Sequence, residues 1–266
     1  MSNDPIFDLT DKVALITGGA GLLAKEHALA LASYGAKIYL ADKEAGRLNQ
    51  SIDCLSKASV EAVGLDIDVT SETAWNQAVQ TILNENPRID ILVNNAGFTN
   101  TTKSDDFSKS AETFPLDAWN EILAVNLSGS FLGCKIVGAT MLGAGSGSII
   151  NIASLYGVVS PNHKIYEDTH ISQPIAYSVS KSGVISLTKY LGTLWASRGV
   201  RVNCLTPGGV FDDHPEPFLS RFNDLNPIGR MLDKKELRGA VVFLASEASS
   251  HVVGHNLIVD GGWTVW

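Results

Sequence analysis

The chain has few of the features that mark secreted or metal-binding proteins. It contains three cysteines, Cys54, Cys134 and Cys204, at spacings that suit neither a disulfide framework nor a zinc site. Its six histidines are dispersed, so no metal is expected. The N-terminus lacks the basic start and the apolar run of a signal peptide. These absences predict a reduced, cytoplasmic protein.

The chain also lacks basic clusters, long apolar stretches and linkers. Its formal net charge is −8, which would repel a phosphate backbone, so no nucleic-acid partner is expected. No uninterrupted apolar stretch approaches the roughly 20 residues that span a bilayer, so no membrane is expected. No repeat, low-complexity tract or Pro/Ser/Gly-rich linker interrupts the 266 residues. We therefore expect one domain covering 1–266.

What the chain does have is a regular alternation of short apolar segments and longer helical patterns. The expected strands are 12–17, 36–41, 62–67, 90–95, 147–153, 200–205 and 256–260. Such alternation predicts an α/β fold: a Rossmann-like, doubly wound, seven-stranded parallel sheet with helices on both faces. Two segments, 98–114 and 208–226, are predicted to be long loops that flank a site.

A glycine-rich turn follows the first expected strand. It reads TGGAGLLA from Thr17 to Ala24 and leads into a helix that ends near Gly35. Such a turn brings backbone and a helix N-terminus close to a pyrophosphate. Asp42 follows about 20 residues later, where a carboxylate would bind the adenosine ribose and repel a 2′-phosphate. The pattern favours NAD over NADP, although Lys43 is adjacent and Asp42 also suits a helix N-cap.

The order of motifs along nearly the whole chain resembles the short-chain dehydrogenase/reductase family. After the turn and Asp42 come the remaining matching elements: Asp68-Val69, Asn94-Asn95-Ala96-Gly97, Asn126 in AVNLSGSF, Ser154 in NIASLYG, Tyr177-Ser178-Val179-Ser180-Lys181, Pro207-Gly208 and Val259-Asp260-Gly261-Gly262.

The resemblance implies a site for a nicotinamide dinucleotide at the ends of the strands. The residues that it assigns to the cofactor are Gly18, Gly21, Leu22, Leu23, Asp42, Asp68, Val69, Asn95, Ala96, Gly97, Tyr177, Lys181, Pro207, Gly208 and Val210. It also implies a homo-oligomer, either a dimer or a tetramer, formed through the two long helices that contain Asn126 and Tyr177.

The catalytic residues implied by the resemblance are Asn126, Ser154, Tyr177 and Lys181. Lys181 lies four residues after Tyr177, so both side chains share one face of a helix. A tyrosine pKa is ordinarily about 10, and a nearby fixed cation favours the phenolate. Ser154 would hydrogen-bond the reacting oxygen. By resemblance, Asn126 would hold a water that links Lys181 to solvent.

The sequence departs from the family pattern in three ways. Leu22 and Ala24 stand where the family's turn has glycines, and Gly21 is expected to take over the approach to phosphate. The segment after Pro207-Gly208 lacks the usual threonine. Ser154 and Tyr177 are further apart than usual, and the extra residues, near 161–173, include His163, Tyr166, Glu167, Asp168 and His170.

Several substrates fit this pattern. Polar loop residues favour a sugar, a polyol or a sugar derivative; they are Asn100, Thr101, Thr102, Asp105, Asp106, Glu167, Asp168, Asp212, Asp213 and His214. The alternatives are a 3-oxoacyl-[acyl-carrier-protein] reductase, an enzyme for apolar alcohols, and a non-catalytic dinucleotide sensor. The acidic loops and Asp42 argue against the first, and the presence of Tyr177 and Lys181 argues against the third. The second stays open because of four apolar residues: Leu155, Phe211, Phe218 and Phe222.

Overall fold

A computed structural model describes residues 5–98, 109–169 and 171–266. Its centre is a seven-stranded, all-parallel sheet in the order β3-β2-β1-β4-β5-β6-β7. The strands are β1 (Val13–Thr17), β2 (Lys37–Asp42), β3 (Ala62–Asp66), β4 (Ile91–Asn94), β5 (Gly147–Ile152), β6 (Val200–Pro207) and β7 (Asn256–Val259). All seven strands predicted from the sequence are confirmed, each within two residues at either end.

Helices cover both faces of the sheet, as expected. They are α1 (Ala24–Ser33), α2 (Ala45–Lys57), α3 (Glu72–Glu85), α4 (Leu116–Leu123), α5 (Gly129–Ala144), α6 (Ile175–Trp195), α7 (Phe218–Leu225) and α8 (Arg238–Ala245). Ser71 caps α3 by accepting a hydrogen bond from the Ala74 N–H at 3.2 Å. Gly35, with φ of +101°, follows the end of α1 where only glycine is unstrained.

Strand β1 shows how the sequence divides between two cores. Every residue of β1 is buried, and alternate side chains face opposite layers. Ala14 and Ile16 pack with α1, α2 and α8, whereas Val13 and Leu15 pack with α3, α5 and α6. A strand covered on both faces is apolar throughout, which is why the central strands read as continuous apolar segments.

The long apolar helix predicted around Asn126 is not regular. One turn of π-helical geometry, Ala124–Ser128, joins α4 to α5. The continuous helix Leu116–Ala144 satisfies a length-and-composition test for a membrane span, with a mean hydropathy of 1.5 in its most apolar window, although no uninterrupted apolar stretch does. Half of that window is buried within the fold, as in the core helices of globular proteins. The helix therefore gives no argument for a membrane.

The two loop predictions have different outcomes. The prediction of a loop over 208–226 is wrong in its second half, because α7 forms there. Phe218 and Phe222 lie four residues apart on one face of this helix and are buried, so packing stabilises a helix that the neighbouring prolines obscure in the sequence. Most of the 98–114 segment lies outside the described residues, as do Asn100, Thr101, Thr102, Asp105, Asp106 and His170.

Candidate active site

The candidate site lies at the carboxyl edge of the sheet, where β1 and β4 are neighbours. Connections from these two strands run to opposite sides, which makes this the topological switch point of the fold. The turn after β1 opens with Gly18 at φ of +64°. A Cβ at Gly18 would come within 2.8 Å of the Ala96 Cα, so the turn and the end of β4 approach as only glycine allows.

The N-terminus of α1 offers free donors to this turn. Its N-cap, Leu23, makes no side-chain capping bond, and the Leu22 and Leu23 N–H groups find no acceptor among the described residues. The Gly21 N–H donates to the Gly18 carbonyl at 2.8 Å, which closes the turn at the residue that we expect to approach a phosphate. The Leu22 side chain is exposed, and the site keeps the helix end that a pyrophosphate requires.

Asp42 ends β2 beside the glycine turn. Its Oδ2 accepts the Ala20 N–H and its Oδ1 accepts the Glu44 N–H, both at 3.0 Å. The carboxylate therefore ties the turn to the start of α2, at the place where the sequence pattern predicts an adenosine ribose. The Arg47 guanidinium donates to the Ala20 carbonyl at 3.3 Å, so a positive charge also lies next to this turn.

Asp68 and Val69 follow β3 at the same edge. The Asp68 Oδ1 accepts from the Thr70 N–H at 2.9 Å and from the Thr70 hydroxyl at 2.7 Å. Val69 is buried, and its carbonyl accepts from the Trp75 indole at 3.0 Å. Both residues are held in place by their own loop, next to the space that the resemblance assigns to adenine.

Two residues after β4, Asn95 and Ala96, are hydrogen-bonded to the end of β1 and to the turn that follows it. The Asn95 side chain donates to the Thr17 and Gly18 carbonyls at 2.9 and 3.3 Å. The buried Thr17 hydroxyl accepts the Asn95 and Ala96 N–H groups, each at 3.1 Å. Thr17 was not among the predicted site residues, although its place before the glycines was a signal. This network joins the ends of β1 and β4 at the floor of the site through four hydrogen bonds.

The ends of β6 and β7 form the opposite wall. The Gly208 N–H donates to the Val259 carbonyl at 2.9 Å, and a Cβ at Gly208 would lie 2.8 Å from the Asp260 Cα. Pro207 ends β6 immediately before this contact, and Val210 pairs with Leu232 in an isolated bridge. The predicted nicotinamide residues thus lie on the same edge as the glycine turn.

The predicted catalytic side chains come together at this edge. Tyr177 and Lys181 share a face of α6, with the Lys181 Nζ 5.8 Å from the centroid of the Tyr177 ring. Ser154 follows β5 and lies within hydrogen-bond reach of the Tyr177 hydroxyl. Ser154 and Lys181 are buried, and Tyr177 is half-buried. Two hydroxyl groups therefore converge above a buried ammonium, as sequence order alone had implied.

Burial controls the acidity of these groups. Desolvation lowers the pKa of Lys181 to about 8, and its Nζ donates to the Ile152 carbonyl at 2.8 Å. Desolvation raises the pKa of Tyr177, while the hydrogen bond with Ser154 lowers it. In the protein without a dinucleotide, the pKa of Tyr177 is therefore above its ordinary value because of burial.

Asn126 is fully buried in the π turn, and its side-chain amide makes hydrogen bonds through both its oxygen and its nitrogen. Its Oδ1 accepts the Phe98 N–H at 2.6 Å, and its Nδ2 donates to the Ser180 hydroxyl at 3.0 Å. A Cβ placed on Gly97 would lie 3.5 Å from the Lys181 Nζ and 3.8 Å from the Asn126 Oδ1, so the three residues are neighbours. The side chain of Asn126 fastens β4 to α6 around the lysine.

An aromatic and apolar surface borders Tyr177, and sequence reasoning assigned only some of its members. We call it the aromatic wall; it consists of Leu155, Tyr156, Ile165, Phe218, Phe222, Met231 and Trp263 with Tyr166 and Tyr177 packed against it. Phe222 stacks on Trp263 with ring centroids 4.2 Å apart. The additional residues between Ser154 and Tyr177 thus contribute to the site rather than to an unrelated surface.

A second depression lies at the opposite, amino-terminal edge of the sheet. Its lining includes Lys12, Asp90 and Arg201. These charges already serve the fold: Asp90 accepts the Val13 N–H at 3.0 Å and pairs with Arg88 at 2.7 Å, and Arg201 donates to the Leu244 carbonyl at 3.0 Å. Among the described residues, no group of three or more metal-ligating side chains is found.

Comparisons with known proteins agree with this geometry. A family model described as Enoyl-(Acyl carrier protein) reductase matches residues 20–264. The chain is 36% identical to the D-threitol dehydrogenase of Mycolicibacterium smegmatis, with 100% of this chain and 97% of that protein covered. It is 31% identical to an NAD-dependent glycerol dehydrogenase of Listeria innocua, with 98% and 97% covered. It is 34% identical to a cyclopentanol dehydrogenase of Comamonas sp., with 96% and 98% covered.

A solved structure shares the whole fold. It is a gluconate 5-dehydrogenase from Burkholderia cenocepacia in complex with NADP and tartrate. This chain superposes on it with a TM-score of 0.85 at 30% identity, and 98% of each chain is covered. The shared fold therefore includes the glycine turn, the Tyr177 helix and the C-terminal strand.

Proposed function

Because this chain belongs to the short-chain dehydrogenase/reductase family, we propose that it is an NAD-dependent oxidoreductase that interconverts a secondary alcohol and a ketone. The observation that carries the proposal is the convergence of the Ser154 and Tyr177 hydroxyls above the buried Lys181. Two hydroxyl groups aimed at one point suit a reaction in which a substrate oxygen gains or loses a proton.

Tyr177 and Ser154 have different roles at the substrate oxygen. During oxidation, the Tyr177 oxygen takes the proton of the substrate hydroxyl, and Ser154 donates a hydrogen bond to the same oxygen. An oxidised nicotinamide held at this edge would supply the acceptor for the hydride, and its positive charge would favour the Tyr177 phenolate. The positive charge is needed because, in the protein alone, burial holds the pKa of Tyr177 above its ordinary value.

Lys181 and Asn126 take part in moving the proton that Tyr177 receives from the substrate. Because the pKa of Lys181 is about 8, its protonated and neutral forms are both populated near that pH, so the side chain can hold and release a proton. The Asn126 side chain binds Phe98 and Ser180, and we propose that its main-chain carbonyl holds a water beside Lys181. That carbonyl also accepts the Ser130 hydroxyl at 2.8 Å.

The residues at the carboxyl edge fit a dinucleotide, and we propose NAD. The free Leu22 and Leu23 N–H groups would hold the pyrophosphate, and the Asp42 carboxylate would hold the adenosine ribose. NADP is the second candidate, because Arg47 places a guanidinium near Asp42 and the Burkholderia cenocepacia structure contains NADP.

The substrate that we favour is a polyol or a sugar derivative. The threitol and glycerol dehydrogenases among the relatives support this class, and the cyclopentanol dehydrogenase keeps apolar alcohols open. The family model's description points instead to acyl-carrier-protein chemistry. Paired hydroxyls at one oxygen favour a carbonyl or an alcohol over a carbon–carbon double bond.

Three further properties are proposals. We expect a cytoplasmic protein, because cysteine usage is that of a reduced protein. We expect a homotetramer or a dimer, in which the exposed apolar side chains of α5 and α6, including Phe131, Val179 and Leu194, would be covered. We expect catalysis rather than dinucleotide sensing, since Tyr177 and Lys181 are both in place.

A substrate screen tests the function. The purified chain is assayed with threitol, glycerol, cyclopentanol and their ketones, and with 3-oxoacyl and enoyl thioesters, each with NAD(H) and NADP(H), by the absorbance of reduced nicotinamide. We expect NAD-dependent oxidation of alcohols, greatest with polyols. Activity confined to NADPH and acyl thioesters would overturn the proposal.

A further inference from the structure

Two tyrosine hydroxyls face each other within the aromatic wall. Tyr156 comes from the turn after β5 and Tyr166 comes from the additional segment 161–173, and their hydroxyl oxygens are 2.6 Å apart. Tyr156 is buried and Tyr166 is half-buried. Most of the wall is aliphatic or aromatic carbon, so this pair is a polar spot on an apolar surface.

The pair has one hydrogen-bonding proton to spare. Two phenolic hydroxyls carry two protons, and the bond between them uses one. Neither hydroxyl has another acceptor among the described residues. The remaining O–H is therefore able to donate to a ligand oxygen at this spot.

The pair is close to the reacting groups. Tyr156 lies two residues after Ser154, whose hydroxyl oxygen accepts the Tyr156 N–H at 3.2 Å. Tyr177 packs on the same wall. Burial raises the pKa of Tyr156 to about 12, and a charge on Tyr177 raises it further. The pair is therefore a neutral hydrogen-bonding group that lies within electrostatic reach of the proton-transferring phenol.

Tyr166 is held firmly in this position. Its ring lies 5.3 Å from the Phe218 ring of α7, and its carbonyl accepts the Thr169 hydroxyl at 2.8 Å. The Arg221 guanidinium of α7 donates to the carbonyl of the next residue, Glu167. A hydroxyl fixed before a ligand arrives loses little entropy on binding, so it discriminates well.

We propose that the Tyr156–Tyr166 hydroxyl pair determines substrate specificity by binding a second hydroxyl of the substrate, on a carbon near the one that is oxidised. This inference rests on the proposed alcohol oxidation. It favours vicinal polyols over alcohols with one hydroxyl, because a single-hydroxyl alcohol has no second oxygen to accept the pair's remaining proton.

The test compares two alcohols on one variant. Tyr166→Phe removes the hydroxyl and keeps the ring against Phe218. We expect the ratio of kcat/KM for threitol to kcat/KM for cyclopentanol to fall about tenfold, mainly through the KM for threitol, as loss of one neutral hydrogen bond predicts. Tyr34→Phe, on the far side of the domain, is the matched control and should leave this ratio as in the wild type.

A binding measurement separates recognition from turnover. With NAD present, threitol should raise the melting temperature of the wild type and raise that of Tyr166→Phe less. Should Tyr166→Phe fail to fold, Tyr156→Phe removes the other member of the pair and predicts the same fall in the ratio.

The outcomes distinguish this inference from the function on which it rests. An equal loss with both alcohols would mean that Tyr166 only supports the wall, and an unchanged ratio would mean that the pair does not touch substrate; either result overturns the inference and leaves the alcohol oxidation standing. A wild type that oxidises no alcohol overturns both.

Discussion

In the half of the site that we propose for the dinucleotide, backbone and amide groups are joined by hydrogen bonds. In the half that we propose for the substrate, aromatic side chains on loops pack against each other. In the first half, Thr17 and Asn95 join the ends of adjacent strands through several hydrogen bonds. In the second half, Tyr166 and Arg221 join the 161–173 segment to α7 through ring contacts and one carbonyl.

This difference shows how one fold can keep its chemistry and vary its substrate. Strand ends are fixed by the sheet, so the groups that they carry have little freedom. Loop-borne side chains can be exchanged without disturbing the sheet, and binding residues are often found on such segments. The four experiments below test this division, from the largest expected effect to the smallest.

The largest effect is expected where the two halves meet. Tyr177→Phe removes the hydroxyl that transfers the proton, so we expect kcat to fall by at least about 1,000-fold. The variant should keep its affinity for NAD within about twofold, measured by titration of protein fluorescence, because the dinucleotide half is untouched. Residual activity near one tenth of the wild type would contradict the assignment, and Tyr34→Phe serves as the control.

The second effect is a pH dependence of stability in the dinucleotide half. His27 of α1 is fully buried with no hydrogen-bond partner for either nitrogen among the described residues, and desolvation lowers its pKa to about 4 from 6.5. Between these values the unfolded chain binds the extra proton, so acid destabilises the fold. From pH 7 to pH 4.5, this group alone should remove about 2–3 kcal/mol from the free energy of unfolding.

Urea denaturation at the two pH values measures this contribution. His27→Leu should lose about 2–3 kcal/mol less than the wild type between pH 7 and pH 4.5. His163→Gln, at an exposed position of the 161–173 segment, is the matched control and should behave as the wild type. Equal losses for His27→Leu and the wild type would show that His27 does not titrate as its burial predicts.

The third effect concerns the choice of dinucleotide. Asp42→Asn keeps an acceptor for the Ala20 N–H but removes the negative charge, so the preference for NAD over NADP should fall about tenfold. The ratio of kcat/KM values for the two dinucleotides is the measurement. Asp53→Asn, exposed on α2, is the control. An unchanged ratio would remove Asp42 from this role and direct attention to Arg47.

The smallest effect should come from loosening the substrate half. Arg221→Met removes the hydrogen bond to the Glu167 carbonyl and a 3.8 Å ion pair with Asp168, which is exposed and contributes little by itself. We expect the KM for the alcohol to rise about threefold while the KM for NAD stays constant. Arg198→Met, on an exposed turn at the other edge, is the control. A larger effect on the KM for NAD than on that for the alcohol would contradict the division into halves.

The sequence predicted the strands and the order of the motifs well, because both are local properties. Burial on two faces makes β1, β4 and β5 apolar throughout, and glycine before α1 reflects a backbone angle. The helix α7 was missed because its signal covers only eight residues between prolines. The partners of Asn126 were unpredictable, because its hydrogen bonds to Phe98 and Ser180 depend on how the chain folds back.

The sequence by itself determined the parallel sheet, the glycine turn and the spacing of Tyr177 and Lys181 on one helix, since apolar periodicity, backbone freedom and helical geometry act over a few residues. Only the tertiary structure decided that burial raises the pKa of Tyr177, that the Asn126 side chain binds Phe98 and Ser180, and that the Tyr156 and Tyr166 hydroxyls are hydrogen-bonded beside the reacting groups. Desolvation and contacts between distant segments exist only once the chain has folded.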